Sequence, residues 1–147
     1  KKIRLDYISK KYFLRKFHFP EPSILGNKIN SIATSAIDIS DGFYGDLEKL
    51  INKKNLGAII HSNKIPFSNK LKKLIKDNKI NFHYPMSSGD DYELLFTAHP
   101  KKTSIINNIS KIYKIKISKV GKIIGKNGLF IDGSKITNIK KSYQHFF

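Results

Sequence analysis

Apolar residues at Leu5, Ile8, Tyr12, Phe13 and Phe17 recur at steps of three and four, the spacing that lines up one stripe of an amphipathic helix. Pro20 and Pro22 end that segment, because proline cannot donate to the helical ladder and restrains the residue before it. A short helix is expected over 23–29. Ile32 to Ile39, apolar and small throughout most of its length, then reads as a buried strand. Phe43, Leu47, Leu50 and Ile51 restore a helical stripe, with Gly57 expected to stop the helix. Gly57 to His61 reads as a second strand, and Ile65-Pro66-Phe67-Ser68 turns the chain into a lysine-rich helix running to Asn78, with Leu71, Leu74 and Ile75 inward.

Beyond an irregular stretch containing Pro85, Asp91 to Ala98 forms a strand, and Pro100 opens a helix with Ile105, Ile106, Ile109 and Tyr113 on one face. The remainder is β-rich. Ile115 to Ile124 and Leu129 to Ile131 flank Gly125-Lys126-Asn127-Gly128, and Asn-Gly matches the positive φ angles of a tight hairpin. Alternating strands and helices predict an α/β fold, a mixed β-sheet flanked by helices. With 147 residues, no internal repeat and no long linker, one domain over 1–147 is expected.

The net charge of +17 brings nucleic acid into consideration, since clustered cations gain affinity by releasing counterions from phosphates. Only Arg4 and Arg15 are arginines, however, and the lysines are spread along the chain. Base reading and bidentate phosphate contacts favour arginine, so no specific nucleic acid partner is expected, and a basic, non-enzymatic nucleic-acid-binding module stands only as the competing reading. Cysteine is absent, which excludes disulfides, thiolate metal sites and cysteine nucleophiles and accords with a reducing cytosol. No apolar run approaches the ~20 residues that span a bilayer, and the start lacks the apolar core of a signal peptide; a soluble, cytoplasmic chain is expected. The chain does not begin with methionine and starts abruptly in a helix, which points to sequence missing upstream.

Two acidic turns carry the candidate chemistry. In Ala36-Ile37-Asp38-Ile39-Ser40-Asp41-Gly42 an apolar run ends in two carboxylates and a hydroxyl at a strand-to-helix turn. The two-residue period of a strand puts Asp38 and Ser40 on one side. Hard cations such as Mg²⁺ take oxygen donors, often one or two carboxylates plus substrate phosphates, and the free amides of a helix start attract anions. A second reading has Ser40 or Asp41 simply capping the helix. Asp38 falls where a buried strand is normally apolar, so its charge needs a partner; Asp46, further into the helix, reads as an ordinary solvated acid. The second turn is Ser87-Ser88-Gly89-Asp90-Asp91-Tyr92-Glu93, with three acids in four residues of a lysine-dominated chain. Adjacent carboxylates repel unless a cation or strong donor stands between them. The five histidines are scattered without metal-ligand spacing, and no phosphate-binding glycine loop of known type occurs.

Taken together, Ser35 to Gly42 with Gly45-Asp46-Leu47, then Ser87 to Thr97, with Pro20-Glu21-Pro22 upstream and Ser142-Tyr143-Gln144-His145-Phe146 at the end, resemble the C-terminal half of the thiamine-monophosphate kinase family. That family is related to aminoimidazole ribonucleotide synthetase and selenophosphate synthetase, and another enzyme of this superfamily is the nearest alternative. The resemblance implies a C-terminal domain of the aminoimidazole ribonucleotide synthetase type and ATP-dependent phosphorylation of thiamine monophosphate to thiamine diphosphate, with Mg²⁺ as cofactor. Carried over by motif, Asp38 and Asp41 are metal ligands, Ser40 contacts ATP, and Asp90 and Tyr143 contact substrate. Asp90 stands where the family usually has glutamate, Ser88 where it has glycine, and Lys140 where it has an aromatic contact. The resemblance also implies an N-terminal kinase domain that has no match here, a homodimeric full-length form, and little or no turnover by this chain alone.

Overall fold

The computed structural model describes residues 3–20, 24–52 and 55–137. Helix α1 (Tyr7–His18) starts where the Asp6 carboxylate accepts the Ser9 amide at 2.8 Å, a side-chain cap for an otherwise unpaired donor. After α2 (Leu25–Ile29) come β1 (Ala33–Ile39), α3 (Phe43–Asn52) and β2 (Gly57–Ile60). Helix α4 (Asn69–Lys76), capped by Ser68, leads to α5 (His83–Ser87), β3 (Glu93–Ala98) and α6 (Thr103–Ile112). The described chain closes with β4 (Gly121–Ile124), β5 (Gly128–Ile131) and β6 (Ser134–Lys135).

The α/β expectation holds, with the strands divided between two sheets. β1 pairs antiparallel with β3, and a second sheet runs β4-β2-β5-β6. This second sheet is mixed, β2 being antiparallel to β4 and parallel to β5. The expected Asn-Gly hairpin is therefore corrected: β4 and β5 are not neighbours, because β2 lies between them. Gly57 pairs with both Ile124 and Gly128, so residues 125–127 bridge two interstrand spacings of ~4.8 Å each. They pass so close over Gly57 that a β-carbon there would lie 2.0 Å from the Lys126 carbonyl oxygen. Gly57 is thus a crossing point rather than a helix stop, and Asn55 takes the left-handed conformation after α3 (φ 52°). The tight turn falls instead at Asp132-Gly133 (φ 47° and 90°), between β5 and β6.

The core joins Ile39, Phe43, Tyr44, Leu47 and Ile51 to Ala58, Ile60, Ile65, Met86 and Leu129. Helix α3 packs against β1, β2 and α5, so the segment holding the first acidic turn is anchored on the best-buried helix. The Pro85 region, expected to be irregular, forms α5 and buries Met86. Only 121–124 of the predicted 115–124 strand is paired, and β3 begins at Glu93 rather than Asp91. Helix α1 forms as its spacing predicts but buries none of its residues; Tyr7, Ile8, Leu14 and Phe17 are all exposed.

Candidate functional site

The end of β1 and the start of β3 lie side by side, with Asp38 opposite Leu94 and Ile39 opposite Glu93. Antiparallel pairing therefore delivers both acidic turns to one edge. Beyond the strands the contact continues through backbone: the Asp90 amide donates to the Ser40 carbonyl and the Tyr92 amide to the Ile39 carbonyl, each at 2.9 Å. Two glycines make this approach possible. A β-carbon on Gly89 would sit 2.2 Å from the Ser40 carbonyl oxygen, and one on Gly42 would sit 2.8 Å from the Ser87 carbonyl carbon. Gly42 also has φ +106°, a conformation closed to most side chains.

The turn is built from the helix that follows it. Asp46 is fully buried, correcting the expectation of a solvated acid. One of its oxygens, Oδ2, accepts the Ser40 amide at 3.0 Å and the Asp41 amide at 2.9 Å. The other, Oδ1, accepts the Lys49 ammonium at 2.8 Å. A buried carboxylate is tolerable only with such a set of charge-assisted bonds. The sequence held a usable signal: Asp46 is three residues from Phe43 and four from Leu50, on the apolar stripe itself. The capping question is answered in reverse, since a helix carboxylate caps the amides of the turn. Those two amides are consequently engaged and do not point free toward an anion.

Asp38 is exposed, not buried, because the alternation of β1 turns Ile39 into the core and Asp38 outward. Its charge faces solvent at the shared edge. Asp41 is partly covered, its side chain 24% exposed, and the Lys49 ammonium bonds it directly. Both acids raise the Lys49 pKa through these hydrogen bonds, that of Asp41 first. Ser40 is half-buried and Asp90 exposed; the Tyr92 hydroxyl donates to Asp90 Oδ1 at 3.1 Å. Asp91 has its pKa pushed up to about 6 by desolvation and by the Glu93 and Asp90 carboxylates. Asp91 is exposed overall, so solvent screens these effects. Tyr143 and Lys140 lie outside the described residues. His83, one of the five scattered histidines, lies with Nδ1 2.7 Å from the buried Tyr44 hydroxyl.

The donors at this edge are hard oxygens, which suit Mg²⁺. The space beside Asp41 already takes a cation, the Lys49 ammonium. Among the described residues no group of three or more His, Cys, Asp or Glu could hold a metal ion. Asp38 and Asp41 are two carboxylates, fewer than a complete ligand set, whereas Mg²⁺ bound by one or two protein carboxylates takes its other oxygens from phosphate and water. No helix among the described residues is long and apolar enough to cross a membrane.

Comparison with known structures shows which proteins share this fold. The fold matches thiamine-monophosphate kinase from Stenotrophomonas maltophilia with a TM-score of 0.80 over 90% of this chain, at 24% identity, and covers 42% of that chain. It matches the structure described as AaThiL complexed with AMPPCP and TMP with a TM-score of 0.77 over 99% of this chain, at 26% identity and 44% of that chain. These are kinases of the aminoimidazole ribonucleotide synthetase-like fold. In sequence the chain is similar to thiamine-monophosphate kinases and matches their C-terminal part. It is 35% identical over 143 residues to the enzyme of Buchnera aphidicola subsp. Acyrthosiphon pisum, a match that takes in 92% of this chain and 43% of that protein. The chain therefore spans less than half the length of the curated relatives it matches. No protein-family model matches it.

Proposed function

We propose that residues 1–147 form a single domain supplying one wall of a site that phosphorylates thiamine monophosphate with ATP, giving thiamine diphosphate. The observation that carries this reading is the meeting of the two acidic turns, locked by the close approaches at Gly42 and Gly89. In this reading Asp38 and Asp41 hold Mg²⁺, Ser40 contacts ATP, and Asp90 with Tyr143 contacts thiamine monophosphate. Bound Mg²⁺ supplies electrostatic relief between two phosphate groups that repel each other. The acceptor is the substrate's own phosphate, so no protein side chain becomes phosphorylated. What the chain contributes is positioning: Asp46 fixes the Ser40-Asp41 turn, and Asp90, Asp91 and Glu93 present negative charge suited to the cationic thiazolium ring. The remaining ligands come from the part of the relatives that lies beyond the match, and a cytoplasmic homodimer of the longer form belongs to the same reading.

A graft tests it. Residues 1–147 replace the matching C-terminal part of the Buchnera relative, and thiamine diphosphate formation from thiamine monophosphate and ATP is measured with and without Mg²⁺. Turnover is expected in the graft and is lost in its Asp38→Asn and Asp41→Asn forms. A folded graft without turnover, or one that keeps full turnover with both aspartates replaced, overturns the proposal.

A further inference from the structure

Helix α1 is held to the body along one side and bare on the other. Leu5, Ser9, Tyr12 and Phe13 are partly covered, and the Lys70 ammonium stands 5.7 Å from the centre of the Tyr12 ring. Tyr7 and Leu14, seven residues apart, lie on the opposite side with Phe17 a further three residues along, and all three are exposed. This exposure is concentrated in one part of the chain. Among the described residues, seven of the twelve exposed large apolar side chains fall between Ile3 and Ile24. Clustering of that kind marks an interaction surface, where single scattered apolar residues would not.

We propose that the bare side of α1 is the surface on which the N-terminal part of the longer form docks. The inference rests on the reading of this chain as the C-terminal part of that form, and not on the roles given to Asp38 and Asp41. The match takes in 43% of the Buchnera protein, so more than half of that protein lies outside it and leads toward α1. Consecutive elements of a chain usually neighbour one another in space. Charge argues against two other occupants. Tyr7 to His18 contains no acid, and Lys10, Lys11 and Arg15 flank the apolar ridge and are exposed. A second copy docking through the same patch would set these cations against their own mates. Viewed down the helix axis, Lys10 falls between Tyr7 and Phe17, so a bilayer would have to take in an ammonium along with the ridge. A protein surface can set a carboxylate there, and the surface that covers α1 is accordingly apolar with acidic residues facing Lys10, Lys11 and Arg15.

The test uses cysteine as a probe of cover, since the chain has none of its own. Phe17→Cys, and Ile112→Cys at the exposed end of α6 as control, are each made in the 147-residue chain and in the graft of this chain onto the N-terminal part of the Buchnera relative. The rate of alkylation by iodoacetamide at each position is read by peptide mass spectrometry. Phe17→Cys is expected to react freely in the 147-residue chain and about 10-fold or more slowly in the graft, with Ile112→Cys alike in both. Tyr7→Cys is a second probe that leaves the Phe17 ring in place. Equal reaction of both α1 probes in the two proteins overturns the inference, as does slowing at Ile112→Cys to the same extent, or a graft whose two parts melt independently or do not fold together. Turnover is a separate readout. Protection without thiamine diphosphate formation upholds the docking and overturns the kinase reading, whereas turnover with open α1 probes does the reverse. Sedimentation velocity and flotation with phosphatidylglycerol-containing vesicles check the other occupants on the 147-residue chain: self-association or vesicle binding that Phe17→Asp abolishes assigns α1 to a second copy or to a membrane and overturns the proposal.

Discussion

The Asp46 carboxylate accepts the Asp41 amide at 2.9 Å, so a residue inside α3 shapes the turn that leads into the helix. With the Ser40 amide and the Lys49 ammonium on the same group, Asp46 is the keystone of the acidic edge. Asp46→Ala leaves two partly covered amides without acceptors and leaves Lys49 bonded to Asp41 alone. The expected loss is about 3 kcal/mol, seen as a lower urea midpoint at unchanged slope. Asp46→Asn, which retains one oxygen acceptor but no charge, loses about half as much. If Asp46→Ala unfolds at the original midpoint, the carboxylate is not holding the turn.

The contact between the turns depends on missing β-carbons. Gly89→Ala would place a methyl group 2.2 Å from the Ser40 carbonyl oxygen, well inside van der Waals contact, against backbone that cannot rotate aside. Overpacking of this kind costs about 1–3 kcal/mol, and it parts the two turns. Gly26 is the control: it lies within α2, and an added β-carbon would meet nothing within 4 Å, so Gly26→Ala is expected to stabilise the chain by about 0.5–1 kcal/mol. Denaturation midpoints that move in the same direction for both variants contradict this account.

Local patterns are legible in the sequence where one physical signal dominates. The apolar stripe of α3, the Ser68 start of α4 and the two acidic turns all follow from spacing and residue type. What stays hidden depends on tertiary partners. Asn127-Gly128 has the chemistry of a hairpin, but no local rule shows β2 inserting between β4 and β5. The apolar neighbours of Asp38 predict burial, whereas the pleat turns it outward. Asp46 reads as one more charged residue in a helix, although it occupies the buried stripe. The roles proposed for Asp38, Ser40, Asp41 and Asp90 come from motif resemblance, and the structure adds that one strand pairing brings these residues to the same edge.

Helices α1 and α3 show the same periodicity and opposite burial. Leu47 in α3 is 3% exposed and Phe17 in α1 is 62% exposed, so equivalent truncations should separate them. Leu47→Ala opens a cavity in the core and is expected to cost about 3 kcal/mol, whereas Phe17→Ala in the 147-residue chain should change stability by less than about 0.5 kcal/mol. Chemical denaturation of both variants decides. A loss at Phe17 comparable to that at Leu47 means that α1 packs against something in solution.

The three acids at the second turn give it a pH signature. Desolvation and the charges on Glu93 and Asp90 hold the Asp91 pKa at about 6, above its ordinary 3.8. The folded chain therefore keeps the Asp91 proton over a range in which the unfolded chain has released it, and this group's contribution to stability falls as pH rises from about 4 to about 6. Asp91→Asn removes that penalty. The variant should melt higher than the original chain at pH 7.5 and show no advantage at pH 3.5, where Asp91 is protonated in both states. The sign is the diagnostic part: an acid stabilised by nearby lysines would give the reverse, with Asp91→Asn melting lower at pH 7.5. Thermal melts of the two proteins across pH 3.5 to 7.5 measure the difference, and added Mg²⁺ should shrink it if a cation at this edge relieves the same repulsion.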